Sequence, residues 1–157
     1  MPDDIATLRR ILRSARTIAV VGLSAEWHRP SFFAAKYMQE HGYRIIPVNP
    51  RYPAILGERC HASLETIEVP VDIVDVFRKT EDVLPIARQA IEIHAKCLWQ
   101  QIGVKNLEAA RLAAEGGLDV VMDRCVKIEH ARLFGGLNWA GVNTKVISAK
   151  RPRWLPN

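Results

Sequence analysis

Five short apolar runs, "TIAVVG" (17–22), "YRIIPV" (43–48), "VDIVDVF" (71–77), "KCLWQQ" (96–101) and "LDVVM" (118–122), constrain this chain more than any other feature. Runs of that length, rich in Val and Ile, read as strands buried on both faces. The longer segments between them carry apolar residues every three or four positions and read as helices. Strands alternating with helical crossovers give a parallel sheet, so the predicted fold is α/β: a Rossmann-like doubly wound five-stranded parallel sheet with helices on both faces. Numbered as they appear, the strands are expected in the order 3-2-1-4-5, which follows from general topology and not from particular residues.

The helices can be placed coarsely. Residues 3–15 carry Ile5, Leu8, Ile11 and Leu12 on one face and arginines on the other. A second helix is predicted from Pro30 to His41, stopped by Gly42, with Phe33, Tyr37 and Met38 sharing a face. The segment "NPRYPAILGERCHASLETI" has no sustained period and is predicted to be a long surface loop with at most a short helix near Leu64. A third helix is expected over Glu81–His94, with Pro85 in its first turn, where a missing N–H costs little. "NLEAARLAAE" is a fourth, ending at Gly116 and Gly117, and a fifth follows Asp123, a good N-cap residue type. The domain plan is an N-terminal helix (1–16), a Rossmann-like domain (17–133) and a basic C-terminal extension (134–157). The extension offers a contact to a second copy or another protein.

Composition narrows the class. The chain has 157 residues, enough for one ordinary domain. Hydrophobic residues make up 48% and charged residues 25%, the balance of a globular protein and not of a disordered or fibrous one. No apolar run approaches bilayer length and the N-terminus lacks a signal-peptide core, so the expected location is cytoplasmic. Cys60, Cys97 and Cys125 are odd in number and match no paired spacing, which points to reduced thiols instead of disulfides or a zinc knuckle. A formal net charge of +5 makes anions plausible partners without naming them.

In open parallel sheets, ligands bind beyond the carboxyl ends of the strands. The residues there are Gly22, Leu23, Ser24, Arg29 and Ser31 after the first strand, and Asn49, Pro50 and Arg51 after the second. Phe77, Arg78 and Lys79 follow the third; Trp99, Gln100, Gln101 and Gly103 belong to the fourth; and Met122, Asp123, Arg124 and Cys125 follow the fifth. Four arginines and a lysine against one carboxylate describe an anion site, and the planar guanidinium fork suits phosphate. Gly22 allows a tight turn and Ser24 offers a hydroxyl, but Ser24 and Trp27 stand where a G-x-G-x-x-G fingerprint would have its second and third glycines. An NAD site would also place a carboxylate at the end of the second strand to bind the ribose hydroxyls. Asn49, Pro50 and Arg51 stand there, which suits a nucleotide carrying an extra ribose phosphate. NADP and coenzyme A both have one.

Other candidates carry less. No metal-ligand spacing is legible around Cys60, His61, Glu129 or His130. Cys125, at the start of a predicted helix, is either an inert packed thiol or a reactive one. Asp72 and Asp75 are expected to pair with bases. No Ser-His-Asp or Cys-His arrangement follows from spacing, so a binding module is favoured over an enzyme.

The blocks "IAVVGLS" with a following "RPS", "GYRIIPVNP" followed by "ILGE", "VDIVDVFR", "LWQQIGV" and "VVMDRCVKIEH" occur in order and resemble the small stand-alone CoA-binding domain proteins. Those proteins are related to the N-terminal CoA-binding domain of the succinyl-CoA synthetase alpha subunit. The resemblance spans Thr17 to Leu133 and implies coenzyme A or an acyl-CoA as ligand. Carried over to this chain, it implies that Gly22, Ser24, Arg29 and Ser31 line the phosphates. Asn49, Pro50 and Arg51 take the adenosine with its extra phosphate, and Val76, Phe77 and Arg78 form the far side. Gln101 and Gly103 complete the candidate set. It also implies no ligase activity, because the ligase domain and its phosphorylatable histidine have no counterpart here. The alternative is an NADP-dependent oxidoreductase or redox sensor. Nucleic-acid binding rests on net charge alone, without an ordered aromatic platform.

Overall fold

The computed structural model describes residues 4–135. Helix α1 (Ile5–Ser14) starts where the Asp4 carboxylate accepts the Thr7 N–H at 2.8 Å, and it buries Leu8, Ile11 and Leu12. Strand β1 (Thr17–Val21) follows, then α2 (Pro30–Glu40) and β2 (Arg44–Val48). A hairpin of β3 (Ala54–Ile55) and β4 (Glu58–Arg59) and a 3-10 turn at Leu64–Thr66 lead to β5 (Ile73–Val76). The rest alternates: a 3-10 turn at Thr80–Asp82, α3 (Val83–Glu92), β6 (Cys97–Gln100), α4 (Leu107–Glu115), β7 (Asp119–Val121) and α5 (Val126–Phe134).

The main sheet is five-stranded and parallel, in the order β2-β1-β5-β6-β7. Alternating residues serve its two faces. Ile18, Val20, Ile73 and Trp99 pack with residues of α1, α2 and α5, while Ala19, Val21, Val74 and Leu98 pack with α3 and α4. Both faces are covered, which explains why the strands read as unbroken apolar runs.

This order corrects the expected 3-2-1-4-5. The third main strand, β5, pairs with β1 and not outside β2, so in order of appearance the sheet runs 2-1-3-4-5. Pro47 gives the physical reason. Its carbonyl turns away from β1 to accept the His61 N–H at 2.9 Å, and on that outer side proline has no hydrogen to offer a further strand. Among the described residues only a one-residue bridge between Val48 and His61 covers that edge, so β2 ends the sheet.

Three local expectations also change. The long loop after β2 contains the β3–β4 hairpin, whose turn residues Leu56 and Gly57 both have positive φ, 55° and 78°. The third helix begins as a 3-10 turn before α3. The fifth is capped by Cys125 and not by Asp123, whose φ is 62° and whose carboxylate instead accepts the Gly103 N–H at 2.8 Å. The predicted extension, from residue 136 onward, lies outside the described residues.

Asp72 behaves as expected. It accepts the N–H groups of Arg16 and Thr17 at 2.8 and 3.0 Å and pairs with Lys96 at 3.4 Å. Asp75 does not. It sits in β5 between Val20 and Trp99, 1% exposed, with no hydrogen-bond partner for Oδ1 among the described residues. Burial holds its pKa well above the ordinary carboxylate value, so the native state keeps a proton that the unfolded chain has already lost. Stability contributed this way is present below the unfolded pKa and falls as pH rises, by about 1.4 kcal/mol per pH unit until the native group ionises. Asp75→Asn is therefore expected to unfold at a higher temperature than the wild type at pH 8 and to show a flatter pH profile. Thermal melts across pH 5–9 measure this, and parallel profiles for the two proteins would contradict it.

His130 on α5 has the opposite sign. Its Nδ1 meets the Tyr37 hydroxyl at 3.0 Å, and its ring packs against His41, Tyr43 and Phe134 beside a cavity of about 370 Å³. Burial, with a smaller contribution from the His41 charge, lowers its pKa to about 4. The native state keeps it neutral while the unfolded chain protonates below about pH 6.5, so stability is lost as pH falls from there toward 4. His130→Gln is expected to flatten the acid limb of the denaturation curve. An unchanged acid limb would remove His130 from that role.

Candidate functional site

The chain moves from β1 outward to β2 and then back across β1 to β5, so the direction of travel reverses between β1 and β5. Parallel sheets open a crevice at such a switch point, beyond the strands' carboxyl ends. A cleft of about 950 Å³ is lined by Arg29, Arg51, Phe77, Arg78 and Lys79 from the connections after β1, β2 and β5, and by Gln101, Ile102, Val104, Cys125 and Ile128 from the β6–β7 side, its far wall. A smaller recess of about 310 Å³ shares Arg29, Arg51, Phe77 and Arg78 and reaches Gly22, Ser24, Ser31, Asn49 and Tyr52. A third, of about 400 Å³, meets them at Gly22 and Arg78 and includes Pro50.

Gly22 brings the two connections together. Its φ is 88°, and a Cβ there would lie 2.4 Å from the Phe77 carbonyl oxygen. Its N–H is taken by the Val48 carbonyl at 2.9 Å, so it shapes the loop without donating to a ligand. Leu23 is fully buried and presents only backbone, its carbonyl accepting Asn49 Nδ2 at 2.9 Å. The Asn49 Oδ1 accepts the Arg51 N–H at 3.0 Å, so this buried amide ties the β1 and β2 loops together and sets the direction in which Arg51 leaves the chain. Ser31 Oγ accepts the Ser24 N–H at 3.0 Å, and Ser24 Oγ accepts the Glu26 N–H at 3.0 Å. Both hydroxyl hydrogens stay available. The start of α2 is a weaker anion site than the sequence suggests, because Pro30 occupies its first position and brings no N–H.

The arginines are not equivalent. Arg29 lies 3.8 Å from Glu26 and Arg78 lies 3.7 Å from Asp82. Arg51 is exposed at the cleft and has no carboxylate within 4.0 Å among the described residues. Val76 is fully buried in the core and borders none of these spaces; Phe77 and Arg78 after it do. Gly103 lies outside the cleft lining and holds the loop after β6 to Asp123. Gln101 is 3% exposed, lines the cleft, and accepts the Val126 N–H at 3.1 Å through Oε1. Lys79, one of the strand-end cations, also lines the cleft, and Asp82, Ile102, Val104 and Ile128 join it although the sequence does not mark them as binding residues. Their signal was faint: Ile128 falls one helical turn after Cys125, and Asp82 is visible only as the i+4 partner of Arg78.

No group of three or more His, Cys, Asp or Glu residues that could hold a metal ion occurs among the described residues. The cleft combines cations from the β1, β2 and β5 ends with largely apolar residues from the β6–β7 side, which suits a ligand with a phosphorylated end and a weakly polar arm. The family profile for the CoA binding domain matches residues 16–131, which include all of these elements except α1 and the end of α5. The chain belongs to that CoA-binding domain family. A curated relative in Bacillus subtilis, the uncharacterized protein YneT, is 43% identical over 126 residues, covering 80% of this chain and 93% of its own. The crystal structure of a hypothetical protein from Pyrococcus horikoshii superimposes with a TM-score of 0.82 at 39% identity, covering 84% of this chain and 93% of that one. A dinucleotide-forming acetyl-coenzyme A synthetase from Ca. Korarchaeum cryptofilum shares the fold at 19% identity and a TM-score of 0.64, over 74% of this chain and 28% of that one. No helix among the described residues is long and apolar enough to cross a membrane.

Proposed function

We propose that the protein binds coenzyme A or an acyl-CoA through its phosphorylated nucleotide part. In this reading it acts as a stand-alone binding or regulatory module in the cytoplasm, without ligase activity, and residues 17–133 form the binding unit. The observation that carries the reading is Arg51: a guanidinium without a carboxylate partner among the described residues, lining the switch-point cleft from the end of β2, where a dinucleotide site would have a carboxylate. Family membership supports the identity of the ligand. Ser24, Ser31 and Arg29 serve the inner phosphates, Arg51 the ribose phosphate, and Arg78 and Phe77 the opposite side. NADP shares the ribose phosphate but leaves Ile102, Val104 and Ile128 on the far side without a matching apolar arm.

A ligand that binds only the folded state raises the melting temperature by mass action; at a hundredfold excess over Kd the gain is about 2.7 kcal/mol, or several degrees for a domain of this size. CoA at millimolar concentration is expected to give such a shift and NAD none. A shift with NADP equal to or larger than that with CoA would overturn the proposal.

A further inference from the structure

The far wall of the cleft carries two groups that phosphate binding does not use. Gln101 is 97% buried by its 3% exposure; its Oε1 is committed to Val126, and its Nε2 has no hydrogen-bond partner among the described residues. Gln101 lines the cleft, so this donor is open to ligand space, and a ligand that covered it without accepting its hydrogen would leave it unpaired at a cost of about 1–3 kcal/mol. Beside it stands Cys125, half-buried at the cleft, the N-cap residue of α5 with no capping bond from its side chain. The loop that presents it is fixed. Trp99 Nε1 donates to the Arg124 carbonyl at 2.8 Å, Gly103 N–H to Asp123 at 2.8 Å, and Val126 N–H to Gln101 at 3.1 Å.

We infer that this wall captures the thiol end of the ligand, Gln101 Nε2 donating to an amide carbonyl of the pantetheine arm and Cys125 forming a reversible mixed disulfide with the CoA sulfur. The inference rests on the CoA reading above and adds redox regulation to it. The co-reactant is the symmetric disulfide of CoA. The Cys125 Sγ, having given its proton to solvent, attacks one sulfur of that disulfide; the reagent's S–S bond breaks, an Sγ–S bond forms, and the second CoA leaves as a thiolate that takes up a proton. Cys125 is oxidised as one CoA is reduced. The other thiols stand apart: Cys97 is fully buried, Cys60 borders no part of the cleft, and burial pushes both thiols' pKa values up.

The experiment treats the full chain, without reductant, with CoA disulfide or glutathione disulfide at equal concentration, follows intact mass and maps the modified peptide. One CoA per chain on Cys125 is expected, formed about tenfold or more faster than the glutathione adduct because the cleft positions the reagent. Adenosine 3′,5′-bisphosphate should slow it by competition. Gln101→Glu, which keeps the acceptor for Val126 and removes the donor, should slow it severalfold. Cys125→Ser should give no adduct. Modification of Cys60 instead, equal rates for the two disulfides, or no adduct on a protein that binds reduced CoA in calorimetry would each overturn the inference, and an unchanged rate in Gln101→Glu would remove Gln101 from it. A protein that binds no reduced CoA would fail the underlying reading instead.

Discussion

Arg51→Ala is expected to weaken CoA binding by about ten- to a hundredfold while changing dephospho-CoA affinity little. The size follows from a hydrogen bond to a charged group, worth about 1.5–3 kcal/mol, with tenfold in Kd for each 1.4 kcal/mol. The selectivity follows from position. Arg29 and Arg78 each have a nearby carboxylate, so an incoming phosphate has to compete with Glu26 or Asp82, whereas Arg51 has no such competitor among the described residues. Arg51→Lys keeps the charge and loses the planar pair of donors, and should fall between wild type and alanine. Calorimetric titrations of both ligands against the three proteins check this. Equal losses for CoA and dephospho-CoA would mean that Arg51 supports the loop and not the ribose phosphate.

Gly22→Ala is expected to lower the melting temperature by roughly ten degrees, the equivalent of about 3 kcal/mol or more for a chain of this length. Two costs combine. A φ of 88° is strained for any residue with a Cβ, at about 1–3 kcal/mol. The added methyl also meets the Phe77 carbonyl oxygen at 2.4 Å; the Arg78 side chain, 2.9 Å away, can move aside, but the Phe77 backbone cannot do so cheaply. Relief requires spreading the connections after β1 and β5, where the cleft lies, so CoA affinity should fall with stability. Gly42→Ala is the matched comparison: its φ is 97°, but a Cβ there meets nothing within 4 Å. It should cost the conformational strain alone, and a loss as large as that of Gly22→Ala would contradict the close approach at Phe77.

Much of the fold could be read from the strands because both faces of a parallel sheet are buried, which turns "IAVV" and "IVDV" into runs that no helix pattern imitates. Their order could not be read from crossover rules, which allow several arrangements. Pro47 did hold the answer, as a residue that cannot sit in the middle of a sheet. The hairpin at Ala54–Arg59 escaped because two-residue strands have no period to detect. At the site, residue type pointed to the right places more often than to the right jobs. Asn49 and Gly22 stand at the strand ends as expected, yet their hydrogen bonds build the loops, which only the pairing partners reveal. Leu23 and Val76 turn their side chains into the core, a matter of strand phase at the last residue. A base partner is the usual expectation for a carboxylate in a strand such as Asp75, but it is buried between Val20 and Trp99 and its Oδ1 has no partner among the described residues.

Calorimetric titration of the reduced full chain with CoA, dephospho-CoA, NADP and NAD in one buffer reads the site as a whole. Saturable one-site binding of CoA is expected, about ten- to a hundredfold weaker for dephospho-CoA, and weaker still for NADP and NAD. Binding of NADP at least as tight as CoA, or indifference to the ribose phosphate, would contradict the CoA reading.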